Sequence, residues 1–172
     1  KKVAMALHSL ITSQFPRDFM GIVGFSETAY ALTAADLPEV SWDFAYGTNM
    51  HHAFALARKQ LAGKAGSKQI IMITDGEPDP AQRAMIPALA AEIEAGMKNK
   101  DFCFMAIGVE GADTGVLQVI SNSEIPPRML AGLKFAAFFR WLSSTIADVA
   151  KGQNVADAVK NADQAWDGGF KF

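Results

Sequence analysis

Two short segments set oxygen donors beside glycines, a combination that suits a hard cation. The first is Tyr46-Gly47-Thr48-Asn49, ahead of a helical period that begins at Met50. The second is Thr74-Asp75-Gly76-Glu77-Pro78, directly after the chain's clearest β-branched run. Thr48 offers a neutral hydroxyl oxygen and Asp75 a carboxylate. Mg2+ takes oxygen ligands in a near-octahedral array and retains several waters, so a loop with few protein donors can hold it. Gly47 and Gly76 allow the backbone to turn tightly alongside. Each residue also has an ordinary reading. Thr48 is a good helix N-cap, Asp75 can cap the turn at Gly76, and Glu77 reads as a solvated loop carboxylate.

Other groups carry less. His51 and His52 are adjacent, so on a helix they point about 100° apart and do not converge on one metal. Gly63-Lys64-Ala65-Gly66-Ser67-Lys68 lacks the spacing of a phosphate-binding loop and follows a helix instead of a strand. Cys103 is the chain's one cysteine. It lies in an apolar run and reads as a small buried hydrophobe in a reducing, cytoplasmic setting. The sequence holds no nucleophile elbow of the Gly-x-Ser-x-Gly type. No pair of carboxylates is placed by a motif to divide acid and base roles. A binding module is therefore expected, not an enzyme.

The elements that would position Thr48 and Asp75 alternate along the chain. Val3, Leu7, Leu10 and Ile11 share one helical face, and Pro16 ends that helix. Phe19 to Phe25 reads as a buried strand, paired through a tight turn at Ser26-Glu27 with a strand over 28–32. A loop over 33–49 leads to a helix carrying Met50, Phe54, Ala57 and Leu61. Gln69 to Thr74 is a buried strand. Residues 81–97 read as a helix, kinked or started late at Pro87. Phe102 to Val109 is a second buried strand, 114–120 a short helix, and 129–133 a short last strand. Phe135, Phe138, Phe139, Leu142, Ile146 and Val149 form the apolar stripe of a strong amphipathic helix, leaving Trp141 beside the stripe as a candidate outward contact. Apolar strands separated by amphipathic helices imply a mostly parallel sheet covered on both faces. Open sheets of that kind place their sites at the C-terminal ends of strands, where both glycine loops fall.

With that order in place, Gly47-Thr48-Asn49-Met50-His51-His52-Ala53 and Ile70-Ile71-Met72-Ile73-Thr74-Asp75-Gly76-Glu77-Pro78 resemble the second and third motifs of the metal-ion-dependent adhesion site of von Willebrand factor A (VWA) domains. The resemblance implies an α/β, Rossmann-like VWA fold with one antiparallel edge strand. It implies that Thr48 coordinates Mg2+ (or Mn2+ or Ca2+) directly and that Asp75 does so directly or through water. A carboxylate of a partner protein would then fill a vacant coordination position. The family's first motif, Asp-x-Ser-x-Ser after a central first strand, occurs nowhere in the sequence. Five strands without that one would leave unpaired backbone groups in mid-sheet, which is costly. A sequence that starts inside the domain is thus expected over a metal-free variant, and the cation is conditional on an upstream Asp-x-Ser-x-Ser segment.

The resemblance narrows by region. Residues 1–78 look like bacterial VWA proteins of the carbon-monoxide-dehydrogenase accessory type, which partner MoxR-type AAA+ ATPases. Phe104 to Asp113 and Leu133 to Ser143 are similar to bacterial tellurium-resistance VWA proteins. Natural divergence and a composite chain would each produce that change. Residues 1–152 are expected to form the VWA-like domain, and 153–172 a tail or surface helix with Trp166 as an anchor.

Bulk properties limit the partners. With 172 residues, half of them apolar and 20% charged, the chain suits one domain with a real core. A net charge of −2 gives a nucleic-acid partner no electrostatic support. No apolar run approaches the ~20 residues that span a bilayer, and the polar Lys1-Lys2 start, soon interrupted by His8 and Ser9, does not read as a secretory signal. The expectation is a Mg2+-dependent adaptor in an ATPase-linked or stress-response complex. The rivals are a VWA-like scaffold with a degenerate site, and an α/β phosphohydrolase using Asp75.

Overall fold

The computed structural model describes residues 2–40, 47–74, 77–109, 111–121, 125–130 and 135–163. They fall into two compact units, one of residues 1–65 and 78–84, the other of residues 66–77 and 85–172.

In the first unit, α1 (Lys2–Gln14) buries Leu7 and half-buries Leu10 and Ile11, the face expected from their spacing. The antiparallel strands β1 (Ile22–Phe25) and β2 (Ala29–Leu32) pair in the register Ile22 with Leu32 and Phe25 with Ala29. Their connection is closed by the Ser26 amide donating to the Thr28 carbonyl at 2.9 Å. β1 begins later than the apolar run suggests. Phe19 stands 45% exposed, with the Lys64 ammonium 4.2 Å from its ring centre. Gly21 lies so close to the Gln60 side chain that a Cβ there would collide with it. α2 (Met50–Leu61) packs on the hairpin through Met50, Ala53 and Phe54. A single short turn of helix, α3 (Pro80–Arg83), completes this unit.

The second unit is built on a parallel sheet in the order β3 (Gln69–Thr74), β4 (Cys103–Gly108), β5 (Arg128–Met129). Every residue of β4 is buried, as expected of a middle strand in a parallel sheet. α4 (Ile86–Lys98) and α5 (Thr114–Ile120) pack on β4 and on each other. Pro87 sits in the first turn of α4, where its missing N–H costs nothing. The expected helix over 81–97 is therefore two helices, with the break just before Ile86. Gly96 admits the Phe102 ring, and a Cβ there would lie 2.2 Å from it.

α6 (Phe135–Ala150) buries Phe138 and Leu142 on the expected stripe, but it also buries Trp141. Trp141 is 2% exposed and is a core residue, which corrects its reading as an outward contact. The reason is α7 (Val155–Asp163), which packs on α6 and covers the flank where Trp141 lies. Trp166 and Asp75 lie outside the described residues. The parallel trio, the antiparallel pair and the helices are the elements of the expected α/β, Rossmann-like class. Among the described residues no helix is long and apolar enough to cross a membrane.

Candidate functional site at the Thr48 loop

The Thr48 loop is held from three directions within the first unit. Gly47 has φ +84°, the left-handed region that strains any other residue. A Cβ on it would lie 2.7 Å from Gln82 Nε2 and 3.2 Å from Glu27 Cα, so the position is also closed by its neighbours. The Thr48 amide donates to Gln82 Oε1 at 2.6 Å. Gln82 is 8% exposed and its own backbone amide donates to Asp79 Oδ1, the N-cap of α3. The sequence Asp79-Pro80 starts that turn abruptly, since the carboxylate takes an orphan N–H and proline presets the first helical φ.

Asn49 supplies the second and third ties. Its amide donates to the Ser26 carbonyl at 2.7 Å and its Nδ2 to the Glu27 carbonyl at 3.1 Å, both in the turn between β1 and β2. Its Oδ1 accepts from the His52 amide at 3.0 Å and so caps α2. One short side chain thus joins the helix start to the hairpin turn. Asn49, not Thr48, is the N-cap, so capping no longer accounts for Thr48. His52 fills a structural role too. Its Nδ1 accepts from the Ala29 amide at 3.1 Å, at the start of β2. That bond requires an unprotonated Nδ1 and places the hydrogen of the neutral ring on Nε2.

Thr48 itself is 8% exposed, and its hydroxyl makes no hydrogen bond among the described residues. A hydroxyl without a hydrogen-bond partner among the described residues, on a backbone tied at its own amide and at that of Asn49, is free to offer its oxygen to something else. Asp75, the second expected ligand, follows Thr74, the buried last residue of β3. Its position lies outside the described residues. Among those residues no group of three His, Cys, Asp or Glu side chains could hold a metal ion. Glu77 is exposed, in keeping with a solvated loop carboxylate.

Gln82 had no signal in the sequence. It lies 34 residues from the amide it accepts, and nothing local distinguishes it from a surface glutamine.

The family model for the vWA domain of Rv0959-like proteins matches residues 1–95. The chain is 40% identical over 79 residues to the uncharacterized protein Rv0959 of Mycobacterium tuberculosis strain H37Rv. It is equally similar, over the same length, to the uncharacterized protein Mb0984 of Mycobacterium bovis. Each match covers 45% of this chain and 12% of the relative, so the chain corresponds to a small part of those longer proteins. The matched stretch contains both glycine loops and the Gln82 clamp, and on it the chain belongs to the von Willebrand factor A domain family, in its Rv0959-like branch.

Proposed function

We propose that this domain binds another protein by gripping one of its carboxylates through a divalent cation, Mg2+ in the first place, with Thr48 and Asp75 among the ligands. The observation that carries the reading is the Thr48 hydroxyl. Its residue is nearly buried, the backbone on either side is pinned to Gln82 and Ser26, and the oxygen has no hydrogen-bond partner among the described residues. A neutral hydroxyl and a carboxylate are oxygen donors of the kind Mg2+ selects, and they leave coordination positions for water and a partner oxygen. When bound, the cation would supply the charge that holds the partner's carboxylate. The reading is conditional on an upstream Asp-x-Ser-x-Ser segment, absent from this sequence, which would supply the remaining ligands.

The role is that of a cytoplasmic adaptor, not an enzyme. An AAA+ ATPase system or a stress-response complex as its setting rests on the resemblance of residues 1–78 and 101–150 to the two bacterial VWA groups. Isothermal titration of Mg2+ into a longer chain that includes an upstream Asp-x-Ser-x-Ser segment tests the proposal. Saturable binding that weakens at least about tenfold in Thr48→Ala and in Asp75→Ala is expected, since each removes one direct or water-mediated ligand. Binding that is absent, or unchanged in Asp75→Ala, would sink it.

A scaffold with a degenerate site is the second reading. An upstream sequence that also lacks Asp-x-Ser-x-Ser would favour it. It requires partner binding to survive EDTA, whereas the first reading requires that binding to be lost.

A further inference from the structure

The second unit contains a buried polar cluster that the glycine loops do not explain. Arg128, the first residue of β5, has a side chain only 3% exposed. Its Nη1 donates to the carbonyls of Pro126 at 2.6 Å and Pro127 at 3.3 Å. Its Nε donates to Asp163 Oδ1 at 3.2 Å, and its Nη2 pairs with Asp163 Oδ2. Trp141 Nε1 donates to the same Oδ1 at 3.1 Å. Three donors from two different elements therefore converge on one carboxylate, in the fork geometry that guanidinium offers a planar anion.

The donors are oriented by contacts that do not involve α7. The two proline carbonyls fix the guanidinium from behind, and Trp141 stacks against Phe138 at 6.0 Å within α6. Apart from Asp163, α7 packs on α6 through small apolar side chains. Its buried side chains are Ala158, Val159 and Ala162, which are small, and its outer face carries Asp157, Lys160 and Asn161. It is reached through Gly152, which has φ +94° and open space around it. A helix of nine residues has little stability of its own.

We propose that Arg128 and Trp141 form a carboxylate-binding cradle that Asp163 fills in cis, so that α7 is a displaceable strap occupying a site for an acidic side chain or a chain-terminal carboxylate. The receptor is built on β5 and α6, and the occupant contributes one charged group, Asp163, beside the small apolar side chains of α7. Release of α7 would leave the cradle intact and vacant for a second carboxylate. The proposal does not depend on the Thr48 loop or on a metal.

The test uses Asp163→Ala in the full-length protein, with formate as the probe. Amide exchange across residues 155–162 should accelerate about tenfold or more, as expected for loss of a charged hydrogen-bond set, while exchange around Leu142 in α6 stays as in the parent. The indole N–H resonance of Trp141 should then shift saturably with formate, at constant ionic strength, and not with chloride. Adding Arg128→Gln should abolish that shift. Asp163→Asn, which keeps the shape and one acceptor oxygen, leaves the cradle filled, so exchange across 155–162 should accelerate less and the indole signal should not respond to formate. The proposal is overturned if α6 loses protection together with α7, or if the indole signal of Asp163→Ala responds to formate no more than to chloride.

Discussion

Gly47 joins a left-handed backbone to a space with no room for a side chain, and the two penalties are separable. Gly47→Ala places a methyl group against Gln82 Nε2 and Glu27 Cα at φ +84°. The backbone strain is expected to cost about 1–3 kcal/mol, measured by urea denaturation. Gln82→Leu acts differently. It leaves the Thr48 amide, now buried, without its acceptor, and an unsatisfied buried donor costs about 1–3 kcal/mol. Because both changes touch the same contact, the double variant should be less damaging than the sum of the two. Additive costs would show that the Gln82 amide does not hold the loop.

At the scale of elements, the start of α2 is governed by Asn49. Asn49→Ala removes the cap on the His52 amide and the tie to the Glu27 carbonyl, and should destabilise the chain by about 1–2 kcal/mol in thermal or urea unfolding. Asn49→Asp keeps the cap oxygen and loses the Nδ2 donor, so its cost should be smaller. Elements with large apolar side chains at a regular spacing were legible in the sequence: α6 through Phe138 and Leu142, β3 and β4 through their β-branched and apolar runs. Those that were not legible had physical reasons to be hidden. α7 could be read only as a helix or tail because it buries alanines and one valine, whose apolar signal is weak. Trp141 was misread because the helix buries a second flank that only α7 creates. β1 was read too long because apolar Phe19 finds a partner in the Lys64 ammonium instead of a core. Of the candidate site, the two glycine loops were visible from composition and order, while the Gln82 clamp was not, since a hydrogen bond across 34 residues leaves no local pattern.

For the molecule as a whole, Cys103 ties stability to alkaline pH. Burial in β4 pushes its thiol from the ordinary 9.0 up to about 12. A group whose pKa is raised in the folded state contributes stability that is complete below its unfolded pKa and is lost as pH rises through the folded one. Between pH 9.0 and about 12 the unfolded chain therefore releases the proton that the folded chain keeps, and stability falls by at most about 1.4 kcal/mol per pH unit from this group. Urea unfolding from pH 8 upward should show a steeper decline for the parent than for Cys103→Ala. Equal slopes would mean that the thiol is not shielded. The same burial predicts that a thiol reagent modifies Cys103 at the rate of unfolding and not faster.

The clamp on the Thr48 loop has one further consequence, for the order in which the chain leaves the ribosome. Hairpin, loop and α2 are all synthesised well before Gln82, which belongs to the same compact unit but follows β3 in the sequence. Until the Asp79-Pro80 turn emerges, the hairpin and α2 can be in place while the Thr48 amide still faces solvent. The same holds for any fragment cut between residues 65 and 78. It would keep every helix and strand of its unit that precedes the cut and lack the acceptor that fixes the loop, so a well-folded circular-dichroism spectrum from such a piece would say nothing about whether the site had formed.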